Sequence, residues 1–529
     1  MKNIINIVNF VRGVEPRPGR NIDLKLPVRE QIRIMREQGL TGTFLLQYDA
    51  LIDPEFRAII DTCRDFCEVG MWLEVMQPLV EAIGEEWRGR YAWDWYNDVG
   101  FLIGYEPEVR LRLIDECMRK FKEIYGYYPE SVGSWHVDAV SMKYLSEKYH
   151  VKACCICRDQ VGTDGYTMQG GYYNQAYYPS VNNMFCPAQT EEYRINMPVF
   201  RMLGSDPIYA YDFQVFKYEG IHCPTLEAAQ DGRNDDWNDW LIPQIFSGNG
   251  LSFQYTQIGQ ENSFGWPRMG HGIEYQFPIA KAMADRGEAE IMTLADCGKW
   301  YSETYKDTPA ATLTAMCGWK GEDTRSVWYY NKNYRTNLLW EDGVVRLRDL
   351  YLFDERYNEL YLTKRCDTHA CQFRNLPVMD GEIYTNLEEN TIAGIYFSVD
   401  GKPVHWDSFA YAEGGDTATV TLKGSLGEAT VTCTEKGISI DTTVEGLTLQ
   451  PIYDRDNALG TGGSADHFAN HNNSKTNLNY VTACNVVDRE IRFTFDGFDY
   501  GLTVAKGQIG EDLSVLAEQG EIALVLARA

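Results

Sequence analysis

The stretch IINIVNFVRGVEPR, residues 4–17, begins as an apolar run and ends on charge, with Arg12 and Arg17 flanking Glu15. A run so poor in polar alternation reads as a strand covered on both faces, the pattern of a parallel sheet. The motif then repeats. INIVNFV (5–11) leads into REQIRIMREQG (29–39), and GTFLLQ (42–47) into PEFRAIIDTCRDF (54–66). CEVGMWLEV (67–75) leads into a helix-rich insertion, SVGSWHV (131–137) into DAVSMKYLSEKY (138–149), and VKACCIC (151–157) into a long aromatic loop. Strand and helix in alternation predict parallel β/α units, and five or more in one domain predict a barrel.

The expected fold is therefore α/β, with an N-terminal (β/α) barrel of seven or eight strands over residues 1–300. Past residue 380 the period shortens to two, in TATVTLKG (417–424), REIRFTFDG (489–497) and FDYGLTVAKG (498–507). That predicts an antiparallel β-sandwich over 381–529, joined to the barrel by a mixed connecting segment, 301–380. No internal repeat is evident.

Bulk composition narrows the function. The net charge is −27, from 76 acidic and 49 basic side chains spread along the whole chain. Such a surface repels phosphate backbones and anionic membranes, so neither nucleic acid nor membrane is an expected partner. No window approaches the ~18 uninterrupted apolar residues of a membrane span. The opening MKNIINIVNF does not read as an export signal, and fourteen scattered cysteines suit reduced thiols, so a cytoplasmic location is expected. Two cysteine groups, Cys63/Cys67 and Cys154/Cys155/Cys157, are read as small buried hydrophobes rather than zinc ligands. His467 and His471 fall in a polar Asn- and Gly-rich loop.

GLTGTFLLQ (39–47) and CEVGMWLEV (67–75) resemble the second and third strands of polysaccharide deacetylases, over roughly residues 1–165. In that family the first strand reads T-F-D-D-G and the third carries two histidines four apart. Here the aspartate positions fall on Val11 and Arg12 and the histidine positions on Trp72 and Met76. None of these can hold the divalent ion such a deacetylase needs, so no metal or other cofactor is expected.

Loops leaving the C-terminal ends of barrel strands build the active sites of this architecture. Candidates there are Arg12 and Glu15 after the first strand, Gln47 after the second, and Trp72 and Glu74 on the third. The fourth offers Trp135, His136 and Asp138, the fifth Asp164, and later runs Arg201, Glu261, His271 and Glu274. Asn333, in YYNKNYRTN (329–337), could reach the rim. Aromatic faces beside carboxylates and amides suit a sugar. His136 and Asp138 share a face of a regular strand, so the carboxylate could orient the imidazole. The arginines would clamp a substrate carboxylate, or Arg12 would pair internally with Glu15 or Glu74.

These features together are similar to an inverting sialidase family with a β/α barrel, a β-rich second domain and no metal. The resemblance implies His136 as base, assisted by Asp138, Glu15 or Glu74 at the leaving group, and Arg12 and Arg201 on the substrate carboxylate. The leading expectation is a metal-independent glycoside hydrolase releasing a terminal acidic sugar from a glycan, with a homodimer possible. The alternatives are a glycosidase acting on a neutral sugar, a metal-dependent deacetylase and a non-catalytic glycan-binding protein.

Overall fold

The computed structural model describes residues 2–163, 166–212, 214, 223–248, 250–454 and 481–527. Five parallel strands come first: β1 (Lys2–Val11), β2 (Thr43–Leu46), β3 (Glu68–Trp72), β4 (Ser131–Gly133) and β5 (Ala153–Cys157). They are followed by β6 (Ala176–Tyr177), β7 (Val199–Met202), β8 (Phe253–Ile258) and β9 (Glu290–Met292). The helices that cover this sheet include α1 (Lys25–Gln38), α2 (Pro54–Ile60), α3 (Pro107–Tyr125), α4 (Ala139–Tyr149), α5 (Asp235–Ile245), α6 (Trp266–Asp285) and α7 (Leu294–Thr304).

β1 is the central stave, and its burial follows from its pairing. Lys2–Ile7 runs parallel to β8 on one edge, while Ile4–Asn6 meets β9 and Val8–Val11 meets β2 on the other. With neighbours on both edges and side chains on both faces enclosed, every residue from Ile4 to Val11 is buried. The apolar run in the sequence is the record of that position.

The sheet order is β8-β1-β2-β3-β4-β5-β7-β6, with β9 beside β1, and it curls without closing by backbone pairing among the described residues. The expected closed barrel is thus an open one. β6 runs antiparallel to β7, a pairing incompatible with a continuing parallel barrel. Side chains span the gap instead. Gln175 donates to the Phe253 carbonyl at 2.7 Å and Asn174 to the Tyr255 carbonyl at 3.3 Å, both on β8. At the opposite end of the gap the Leu226 N–H donates to the Leu203 carbonyl, and Glu227 forms a single parallel bridge with Gly259. Residues 226–227 therefore stand where another stave would run, held between the ends of β7 and β8.

The sandwich begins earlier than its alternating sequence suggests. Strands β10 (Ala311–Ala315), β11 (Thr324–Tyr330), β12 (Tyr334–Glu341) and β13 (Val344–Leu352) form a meander at the start of a ten-stranded sheet. They lie inside the segment read as a connector, because both their faces are covered and the two-residue period is lost. An eight-stranded antiparallel sheet faces them, and there the period survives: Ala418, Val420 and Leu422 point inward from TATVTLKG while their neighbours stay partly exposed. None of the fourteen cysteines forms a disulfide, and Cys63, Cys67, Cys154, Cys155 and Cys157 are all buried. Among the described residues no helix is long and apolar enough to cross a membrane.

The meander packs against the open side of the barrel through stacked rings and buried ions. Tyr173 lies flat on Trp328 at 3.5 Å. Arg201 on β7 pairs with Asp159 at 2.8 Å; the other oxygen of Asp159 pairs with Arg335 on β12, also at 2.8 Å; and Arg335 forks onto Asp349 at 2.7 and 3.1 Å. Removing one member of a buried ion chain leaves its partners uncompensated in a low-dielectric setting. Arg335→Ala should therefore lower unfolding stability by about 3–5 kcal/mol, read as a lower denaturant midpoint. A loss below about 1 kcal/mol would mean that the chain of ions does little to hold the two halves together.

Candidate active site

A residue from the segment leaving β8 sets the backbone at the end of β1. Arg12 N–H donates to Asn262 Oδ1 at 2.8 Å, and Asn262 Nδ2 donates back to the Arg12 carbonyl at 2.9 Å. That reciprocal pair holds Arg12 against the segment leaving β8. Its guanidinium then points inward, almost wholly buried, and forks onto Glu74 at 2.7 and 3.1 Å. A third nitrogen lies 3.3 Å from Glu261. Gln47 donates to Glu74 at 2.7 Å, and the ring of Trp93 covers the guanidinium at 4.1 Å. Of the two readings left open for Arg12, the internal pair is the one formed, with Glu74 as its partner.

Electrostatics around this cluster are dominated by burial. Burial raises Glu74 to about 6; Arg12 pulls it back down and Glu261 pushes it further up. Glu227 is raised to about 7 by burial and then by the charge of Glu261, while hydrogen bonds from Gln260 (3.0 Å) and Thr225 (3.3 Å) work the other way. Asp49 at the end of β2 is also pushed up to about 6 by burial, despite accepting from the Gly13 and Ala50 N–H groups. Two glutamates thus flank one guanidinium, and a third, Glu227, feels the charge of Glu261 and is raised toward neutral pH chiefly by its burial.

The fourth strand departs from expectation. Asp138 does not orient His136. It caps α4 by accepting from the Ser141 N–H and hydroxyl, and it pairs with buried Arg110 at 3.0 Å. β4 ends at Gly133, before either residue, and Asp138 is the N-cap of α4, so no regular strand aligns the two side chains. His136 Nε2 instead lies 2.9 Å from Asn97 Oδ1, with the ring stacked on Phe101 at 4.6 Å and edge-on to Phe373 at 5.2 Å. Burial lowers its pKa to about 3, so the imidazole stays neutral and is a poor proton acceptor.

The remaining expected residues scatter. Glu15 is forked by Arg17 and also approached by Arg20; burial works against its ionised form, but the hydrogen bonds and charge of Arg17 hold it below the ordinary carboxylate range. Arg201 is committed to Asp159 and to the Tyr172 carbonyl at 2.9 Å. Trp72 and Trp135 fill the barrel interior with Phe10; Trp72 lies flat on Phe10 at 4.2 Å and Trp135 meets both rings edge-on. His271 and Glu274 are exposed on α6, where His271 pairs with Asp235 of α5 at 2.8 Å. Asn333 braces the sandwich, donating to the Glu435 carbonyl and accepting from Gln189. Asp164, His467 and His471 lie outside the described residues. Where the deacetylase ligands would sit, Val11, Trp72 and Met76 are buried apolar side chains. Among the described residues no three His, Cys, Asp or Glu side chains gather as a metal site.

Glu227, Trp93 and Asn97 were not singled out from sequence. Glu227 sits in HCPTLEAAQ, beside no apolar run that would mark a strand end. Trp93 and Asn97 carried a legible signal, the aromatic density of RGRYAWDWYN (88–97).

Several solved structures are similar to this chain at low identity. A Parabacteroides distasonis protein, provisionally described as a glycoside hydrolase/deacetylase, shares 16% identity over 72% of this chain and 90% of its own, with a TM-score of 0.48. Peptidoglycan deacetylase PdaC from Bacillus subtilis shares 12% over 57% of this chain and 92% of its own, TM-score 0.25. A GH57-type branching enzyme from Pyrococcus horikoshii shares 8% over 58% and 71%, TM-score 0.32. No family model and no curated protein matches the sequence. None of these three is described as a sialidase.

The raised pKa of Glu227 has a consequence for stability. Its folded-state value of about 7 exceeds the ordinary 4.5, so the folded protein keeps a proton that the unfolded chain has lost. This contribution is fully present below pH 4.5 and is lost as pH rises toward 7. Glu227→Gln, which cannot ionise, should become progressively more stable than the unmodified protein across that window, by on the order of 3 kcal/mol at its upper end. Denaturant melts at several pH values read this directly; a difference that does not change with pH would mean Glu227 titrates normally.

Proposed function

We propose that the protein is a glycoside hydrolase whose working groups are Glu227, Glu74 and Glu261. The observation that supports it is a group of three buried carboxylates, Glu74 and Glu261 on Arg12 and Glu227 within electrostatic reach of Glu261, with Glu227 raised to about 7. Glycoside hydrolysis needs one carboxyl that still carries a proton and one that does not. Glu227 supplies the first: it donates its proton to the departing glycosidic oxygen. Glu74, held by Arg12 and Gln47, supplies the second by taking a proton from the water that adds to the anomeric carbon. One water is consumed and the two sugars separate. His136, neutral and buried beside the same mouth, serves as a hydrogen-bonding wall rather than as the base.

The acidic-sugar form of this reading rested on Arg12 and Arg201 as clamps. Both guanidiniums are compensated from within, by Glu74 and Asp159, so a neutral sugar fits the site better. A second reading, a glycan-binding protein without turnover, draws on Trp93, which caps Arg12 and narrows access to Glu74.

The test is a panel of chromogenic glycosides that includes neutral sugars, a sialoside and a uronide, run with chelator present. Release from a neutral glycoside is expected, with kcat/KM falling above about pH 7 as Glu227 loses its proton. Glu227→Gln should cut kcat by roughly 10²–10⁴-fold while the protein stays folded. Full activity in that variant would remove Glu227 from the mechanism, and binding without any turnover would favour the second reading.

A further inference from the structure

We propose that Tyr91, Trp95 and His369 form a stacking subsite for a pyranose ring at the rim of the carboxylate cluster. The proposal rests on the glycan-directed reading above and names where the rest of the substrate lies. The loop after β3 carries all but one of the parts. Its Trp93 lies on the Arg12 guanidinium, and four residues later its Asn97 meets His136. Trp95 and Tyr96 therefore lie between these two contacts and Tyr91 just before the first, and each is only half-buried.

A second segment completes the surface. Asn97 N–H donates to the His369 carbonyl at 2.9 Å, bringing the loop around residues 366–371 alongside. The His369 ring stacks on Tyr96 at 3.9 Å and 19°, and its Nδ1 lies 3.3 Å from Asp98 Oδ1. On the other face of the ladder the Arg90 guanidinium covers Tyr96 at 3.7 Å and Trp95 at 4.6 Å, and Arg90 is itself forked by Asp94 at 2.7 and 2.8 Å. Tyr91 and Trp95 stand nearly parallel, 13° apart.

The order of the ladder settles what it can receive. Tyr96 is covered by Arg90 and His369, so it acts as the spine. His369 has one face on that spine, yet its side chain is 62% exposed, so its outer face is open to solvent. An open, braced aromatic face with a carboxylate at its edge matches a sugar ring, whose axial C–H groups stack while a hydroxyl reaches Asp98. Because the rings are already fixed by their neighbours, little conformational freedom is lost on binding. A structural aromatic cluster of this size would bury His369; this one presents it.

Calorimetric titration of Glu227→Gln, which binds without turnover, with cellohexaose, chitohexaose and maltohexaose tests the proposal. At least one hexasaccharide should bind, and adding His369→Ala should weaken it about tenfold, with His369→Phe restoring most of the loss. Trp95→Ala should do the same; His369 is the safer site because it is exposed. In otherwise unmodified protein, His369→Ala should depress kcat/KM on the hexasaccharide at least about tenfold more than on a single-sugar chromogenic glycoside. No binding of any hexasaccharide, or binding indifferent to both substitutions, overturns the subsite. If the hexasaccharide binds and His369→Ala weakens it while no glycoside is ever turned over, the subsite stands and the hydrolase reading falls. If glycosides are cleaved but long and short ones respond equally, the reverse holds.

Discussion

A guanidinium buried at the end of the first strand constrains everything around it. Moving such a charge out of water costs several kcal/mol, which only close opposite charge and satisfied donors can offset. Arg12 meets that demand with Glu74 from the end of β3, Glu261 from beyond β8, the face of Trp93 and a backbone pinned by Asn262. These partners follow two different staves, β3 and β8, so the ion cluster also sets the position of those strand ends against the end of β1. Two carboxylates for one guanidinium leave surplus negative charge, and Glu227 lies within its reach. The proton affinity of Glu227, raised first by burial, is raised further by the charge of Glu261, which Arg12 holds in place.

The open side of the barrel imposes the second constraint. An unpaired edge exposes backbone donors and acceptors that must find partners. β6 turns antiparallel, Asn174 and Gln175 supply amide groups to β8, and residues 226–227 occupy the mouth end. Gly259, the bridge partner of Glu227, lies close against β1 because it is a glycine: its φ is +115°, and a Cβ there would meet the Val8 carbonyl at 2.2 Å. The sandwich meander then covers the gap through the chain Arg201–Asp159–Arg335–Asp349. The gap that the sandwich seals is the same one that positions Glu227, so the second half of the chain supports the site without contributing a strand to the barrel.

Legibility in the sequence followed physical period. The parallel strands of residues 2–157 announced themselves because they are apolar on both faces, and the outer sandwich strands because one face is wet. β10–β13 were opaque for the opposite reason: packed between barrel and sandwich, they lost their alternation. Glu74, Gln47, Glu261 and Arg12 were legible as polar groups at strand ends because each follows an apolar run. Glu227 was not, since its stave is two residues long. The expected pairing of His136 with Asp138 was lost because β4 ends before either residue and Asp138 caps α4 instead.

What the sequence alone determined is which segments become strands and helices, and that charge gathers where the first of them stops, because burial and periodicity are written residue by residue. Which charges meet was decided only in three dimensions. Arg12 could have faced a substrate or a neighbour, and nothing in its spacing from Glu15, Glu74 or Glu261 distinguishes these. The choice rests on the distance between strand ends, which curls the sheet until a fork onto Glu74 is in reach and water is not.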